Sequence, residues 1–340
     1  MTLKRYFNLL VVTALLFLVG CSGNPLEVDV SDIEADVKIV RLDKKLFESR
    51  FEGLKNLNQQ CLDEYGELWE AYISVMLRGG SPYDSLIDVT LEKFTSDEVM
   101  RQVYEDIQKK YPNLSDIEAE ISDAFKHLIY YYPKAKVPKF VAYNSVFNFG
   151  VFTTDSCIGI GLDMYLGPEN RIVKQISNEA IPQFIKDKML EEYIAIDVMR
   201  GWFAMHFLPE TEENDFLHQV VREGKILYAL DAFFPGKEDH LKIRYTKEQL
   251  KWCYDNEMNI WKDVVDRELL YTKEQRDIEP FLTEAPFTSG LPQDSPPRTG
   301  AWLGWQMVRA YMEEHPGLKL PDLANEKNAR KILKSYKPEK

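Results

Sequence analysis

Apolar residues recur every three or four positions over most of this chain, and short alternating or continuous apolar runs break that rhythm in three places. From about residue 44 to 132 the pattern is helical. In CLDEYGELWEAYISVMLR, Leu62, Tyr65, Leu68, Trp69, Tyr72 and Met76 fall on one helix face. TSDEVMRQVYEDIQKKYP opens with Ser96 and Asp97, suited to a cap and first turn. NLSDIEAEISDAFKHLIYYYP opens with Ser115 as a cap and Glu118 completing a capping box, while Pro112 and Pro133 close the two segments. Upstream, DVKIVRLD alternates and predicts a short strand. The middle, VPKFVAYNSVFNFGVFTTDSCIGIGLDMYLG, predicts strands near 138–143, 147–153 and 156–162, the last two joined by a hairpin at TTDS. Helices are predicted again near 182–206, 213–230, 246 to about 270 and 299–315. Thr246 and Gln249 supply a capping box to the third of these. The expected class is α+β, predominantly helical, with a small antiparallel sheet.

The N-terminus changes the picture of where the chain works. Lys4 and Arg5 precede an apolar run from Leu9 to Val19, broken only by Thr13. The run is shorter than the roughly 20 residues a membrane span needs and fits a signal-peptide core. It ends Leu18-Val19-Gly20-Cys21, which resembles the bacterial lipobox. That resemblance implies cleavage before Cys21 and a lipid on the new N-terminal cysteine. The expected organisation is a signal peptide at 1–20, a polar tether at 21–36 and a single domain at 37–335. Cleavage removes two cations and takes the formal charge from −13 to −15. So acidic a chain is not built for nucleic acid, and its contact with the membrane is expected through the lipid alone. The lipoprotein resemblance further implies a periplasm-facing leaflet of the cell envelope, because SGNPLE after Cys21 lacks the acidic cluster that marks surface export in lipoproteins of the Bacteroidota type.

Familiar catalytic spacings are missing. The five histidines, His127, His206, His218, His240 and His315, form no H-E-x-x-H, and neither G-x-S-x-G nor a phosphate loop is present. His206 and His218 lie on successive predicted helices and could meet in space. Cys61, Cys157 and Cys253 are far apart, lack C-x-x-C spacing and read as small buried hydrophobes.

Read in order, several segments resemble the zincin-like predicted zinc proteases. Glycine-punctuated strands in FGVFTTDSCIGIGLDMYLG come first, then KMLEEYIAID in a predicted helix, then VVREGKILYALDAFFPG, then SPPRTGAWLGWQMVRAYM. The resemblance puts Glu191 at the first histidine, Glu192 at the general base, Ala195 at the second histidine and Glu223 at the third ligand. Two of the three metal ligands are then replaced. Zinc favours nitrogen and sulfur donors, so no metal and no other cofactor is expected. A closer resemblance, spanning the mature chain, is to the GldB family of gliding motility lipoproteins of Bacteroidota. It is carried by the lipobox, EEYIAIDVMRGWF, EGKILYALDAFFP, YTKEQLKWCYDNE and PPRTGAWLGWQ. It implies a palmitate-bearing envelope lipoprotein tied to gliding motility and to the secretion machinery serving it, with other envelope proteins as partners.

These readings define the expected site. Glu192, Glu223 and Arg298 are candidates for a clamp or pocket, with Arg200, Arg222 and Arg298 as possible partners of Glu223. Cys157, Ile158, Gly159, Ile160 and Gly161 are candidates for a strand that pairs with an extended peptide. Gly300 and Gly304 would let the last long helix pack closely, with Trp302 and Trp305 in the core. The expected role is a non-catalytic assembly or scaffold component, a pseudoenzyme. The alternatives are a metal-dependent peptidase using His206 or His218 with Glu223, or a glycan-binding lipoprotein exploiting the six tryptophans.

Overall fold

The computed structural model describes residues 24–338, so the signal segment and Cys21 lie outside the described residues. A four-stranded sheet sits at its centre. Its strands are β1 (Ile39–Arg41), β2 (Lys139–Tyr143), β3 (Val151–Thr153) and β4 (Cys157–Gly161). They lie side by side in the order β1-β2-β4-β3. β1 pairs parallel to β2, and β2 parallel to β4, so the sheet is mixed and not antiparallel as expected. Only the β3–β4 hairpin, turning at Thr154–Ser156, is antiparallel. The β1–β2 pair is parallel because a long helical excursion, not a tight turn, returns the chain to β2, and the β2–β4 pair is parallel because the chain crosses to the edge strand β3 before turning back as β4.

Both faces of the sheet are covered, which explains why β2 and β4 read as nearly unbroken apolar runs. Alternate side chains go to opposite faces. Phe140, Ala142, Ile158 and Ile160 join the larger core, while Val141, Tyr143 and Cys157 join a smaller one. The smaller core is closed by α1 (Phe51–Tyr65) and α2 (Ile87–Ser96). The larger is closed by α3 (Glu98–Lys110), α4 (Ser115–Tyr131), α5 (Ile194–His206) and α6 (Phe216–Phe233), then α7 (Lys247–Asp255), α8 (Glu257–Asp266) and α9 (Thr299–Glu314).

Local signals set several boundaries. Asp97 caps α3 by accepting from Met100 N, and Thr246 and Gln249 form the expected box on α7. Ser115 does not cap α4: the Glu118 carboxylate is taken by the Ile39 amide at 2.8 Å, which ties β1 to that helix instead. The tether is not free over its described length, since Leu26 packs on the core and Asn24 donates to the Pro235 carbonyl.

Glycines let α6 and α9 pack backbone to backbone. A Cβ on Gly304 would lie 1.8 Å from the Val220 carbonyl oxygen, and one on Gly224 2.1 Å from that of Gly304. Trp302 and Trp305 are fully buried beside this contact. The three cysteines from Cys61 onward are free and buried.

Candidate functional site

The helix expected over 182–206 is broken. A short turn spans Gln183–Lys186, Leu190 is extended (φ −106°, ψ 140°), and Glu191–Tyr193 make a single tight turn before α5 begins at Ile194. Glu191 and Glu192 are therefore exposed, while Ala195 is buried in the first turn of α5. The three positions form no inward-facing array with Glu223, because they do not share one helix. Glu192 also stands apart from the ion pairs of Glu223 and Arg298.

The cleft that does form lies between the β3 edge, α5 and α6, with a volume of about 440 Å³. Val151 and Thr153 line it from the sheet, Arg200, Gly201 and Ala204 from α5, and Arg222 and Glu223 from α6. The chain segments bearing Lys188, Arg244 and Glu284 close its far side. Gly201 allows α5 to lie against β3: a Cβ there would already touch Thr153 Cγ2 at 3.4 Å.

Charge pairing organises this cleft. Arg200 Nη2 donates to Glu223 Oε2 across α5 and α6. Burial works to raise the Glu223 pKa, but Arg200, Arg298 and Arg222 outweigh it and hold the carboxyl below its ordinary value. Arg244 reaches both oxygens of Asp197, at 3.0 and 3.2 Å, and donates to the Lys188 carbonyl at 2.7 Å. The Tyr165 hydroxyl also donates to Asp197, at 2.8 Å. Glu284 accepts from Lys188 at 2.5 Å and pairs with Arg298 at 3.1 Å. Burial lowers the Lys188 pKa despite this partner, and Glu284 stays below the ordinary range because Arg298 and Lys188 overcome its own burial.

Two of these arginines have left-handed backbones, Arg244 at φ 60° and Arg298 at φ 54°. Residues with side chains adopt that region at a cost and only where their surroundings enforce it. The two are coupled, since Arg298 Nη2 donates to the carbonyl of Ile243, the residue before Arg244. Backbone strain thus converges on the same cleft as the charges.

The remaining expected residues lie elsewhere. β4 has neighbours on both sides and all five of its residues are buried, so Cys157–Gly161 offers no edge to a peptide. A Cβ on Gly159 would strike the Tyr143 ring, and one on Gly161 would lie 2.1 Å from the Phe149 carbonyl oxygen. Those glycines serve internal packing. His206 contacts the Thr154 carbonyl, whereas His218 is held by Asp215 and Glu213, so the two share no partner. Among the described residues, no group of three or more His, Cys, Asp or Glu side chains is placed to hold a metal ion. Sequence reasoning missed Lys188, Asp197, Arg244 and Glu284. They come from separated segments with no common spacing, so no local signal marks them.

The family model described as gliding motility protein GldB matches residues 23–338 of this chain. No curated protein and no solved structure matches it.

Proposed function

The chain belongs to the family of gliding motility protein GldB, and on that premise we propose that it is a lipid-anchored, periplasm-facing and non-catalytic component of the gliding machinery and its associated secretion apparatus. In this reading Cys21 carries the lipid and the folded body serves as an assembly or scaffold part that holds another envelope protein. The observation that carries it is the family match over nearly the whole described chain. The cleft chemistry supports the non-catalytic part. Glu223 is ion-paired with Arg200, and Asp197 with Arg244, so both carboxylates are engaged in holding the cleft walls together. Ala195 supplies no donor, and Glu191 and Glu192 face solvent. The reading treats the resemblance to zinc proteases as one of segment order, with no hydrolytic step assigned.

Affinity capture from the envelope with the full-length lipidated chain tests this proposal. The expected result is specific enrichment of a motility or secretion component, together with no peptidase activity. Capture of no such component, or a metal-dependent peptidase activity abolished by Glu223→Ala, would overturn it.

A further inference from the structure

β3 is an edge strand, and its residues Val151 and Thr153 line the charged cleft. Its register shows which backbone groups are free. The Gly161 amide donates to the Gly150 carbonyl, and the Thr154 amide to the Cys157 carbonyl. Antiparallel pairs alternate between bonded and non-bonded, so Phe152 faces β4 as a bonded residue, while Val151 and Thr153 occupy the non-bonded positions opposite Ile160 and Ile158. The amides and carbonyls of Val151 and Thr153 consequently point away from β4, along the outer edge of the sheet, while their side chains face α5 beside the cleft. Among the described residues, no hydrogen bond joins them to another element. The sheet therefore ends in two donors and two acceptors with no strand beyond them, which is the template used in strand addition.

The wall facing this edge carries surplus positive charge. Lys188, Arg200, Arg222 and Arg244 line the cleft against Asp197, Glu223 and Glu284, in a chain whose formal charge is −13. Each of the three carboxylates is already paired. Arg222 is exposed, has no ion pair among the described residues, and makes only a 3.4 Å contact to the Ala204 carbonyl. A cavity of this size lies within the roughly 300–1,000 Å³ of typical ligand sites.

We propose that β3 and Arg222 together form a recognition site for an extended, carboxylate-bearing peptide segment of a partner protein. The segment adds as a fifth strand along Val151–Thr153, and its carboxylate docks on the Arg222 guanidinium. This deepens the scaffold reading and rests on it, by assigning the partner's segment a place. The carboxylate can come from an Asp or Glu side chain or from a chain terminus, and one experiment separates the two.

Binding of a labelled, β-forming pentapeptide to the full-length chain in detergent is measured by fluorescence anisotropy. Four versions carry an internal Glu or Gln, each with a free or amidated C-terminus. At least one carboxylate-bearing version should bind about ten-fold more tightly than the Gln amide. Arg222→Gln should abolish that ratio, because it removes the charged donor and leaves every ion pair of the cleft intact. Val151→Pro should weaken all four versions by removing an outward amide at the first strand position, with the melting temperature retained. Preference for the internal Glu would assign a side chain, and preference for the free C-terminus would assign a chain end. Equal binding of all four versions, or an unchanged ratio in Arg222→Gln, would refute carboxylate recognition. Unaltered binding by a folded Val151→Pro variant would refute strand addition. Failure of every peptide to bind while envelope capture still succeeds would overturn this site and leave the scaffold role standing.

Discussion

Arg200 on α5 and Glu223 on α6 are joined by a charge-assisted hydrogen bond that spans the wall of the cleft. Both side chains are about three-quarters buried, at 25 % and 23 % exposure, so water screens the pair only partly. Arg200→Gln should cost about 1–3 kcal/mol, between the values for exposed and for fully buried pairs. A double-mutant cycle with Glu223→Gln, read by denaturant unfolding, should show positive coupling, because the second change removes the carboxylate left unpaired by the first. Folding lowers the Glu223 pKa, so its contribution is present above the unfolded carboxylate range and is lost as pH falls through the folded value. The stability gap between the wild type and Glu223→Gln should therefore close on acidification. A gap independent of pH would refute the pairing.

Three glycines should respond in opposite ways to the same methyl group. Gly304→Ala and Gly224→Ala would drive a Cβ to within about 2 Å of facing backbone, and helices cannot relieve such a clash by side-chain motion. Each should cost about 3 kcal/mol or more, seen as a lower midpoint of denaturation. Gly53 sits in α1, and a methyl added there would meet nothing within 4 Å, so Gly53→Ala should gain about 0.5–1 kcal/mol from helix propensity.

Periodicity reveals the helices because each long one presents an apolar face to one of the two cores. The β3–β4 hairpin was legible for the same local reason, with its turn residues between two apolar runs. Neighbour order was not legible. CIGIG reads alike whether the strand is internal or an edge, and only the parallel pairing with β2 buries it on both sides. KMLEEYIAID shows the opposite failure. Its residues favour helix, yet the extended Leu190 lets Met189 and Tyr193 both reach the core, and tertiary packing overrides propensity. The sequence offered three arginines for Glu223. The direct ion pair went to Arg200, while Arg298 was drawn to Glu284 from a distant loop.

Asp163 should control the loop that leads into β3. Its fully buried carboxylate accepts from Ser145 N at 2.8 Å, Ser145 Oγ at 3.0 Å and Phe147 N at 2.5 Å. Those bonds hold Val146 at φ 58° and Phe147 at φ 55°, and a left-handed β-branched valine is costly. Asp163→Asn puts an amide donor where two acceptor oxygens are required, and should cost about 2–4 kcal/mol near neutral pH. Burial pushes the Asp163 pKa up to about 6, while the hydrogen bonds from Ser145 and Phe147 oppose that rise. A pKa raised on folding gives a contribution that is complete below the unfolded value near 3.8 and is lost as pH rises through about 6. The wild-type advantage over Asp163→Asn should thus be larger at pH 4 than at pH 7, by about 2 kcal/mol, because pH 4 already lies just inside the titration window. Thermal melts of both proteins across that range would show it, and an advantage that grows with pH would contradict the assignment.

Thiol counting tests the proposed anchor at Cys21 against the buried cysteines. Cys61, Cys157 and Cys253 are buried, and burial pushes the Cys61 thiol up to about 12 and raises the Cys253 thiol further. Only the thiolate attacks a disulfide reagent, and burial shields all three sulfurs from it, so all three should be inert in the folded protein at pH 8. A lipid thioether would remove Cys21 from the count. Protein purified from its own membrane should then release no aromatic thiolate when folded and three equivalents in denaturant. The same chain made without lipidation, retaining residue 21 as cysteine, should show one reactive thiol when folded and four in denaturant. The difference of one between the two preparations isolates Cys21, because the other three respond alike in both. Four thiols in the denatured membrane-derived protein would remove the lipid anchor from the proposal, and a rapid reaction beyond the first in the folded unlipidated chain would show that the buried cysteines are more open than the packing around them implies.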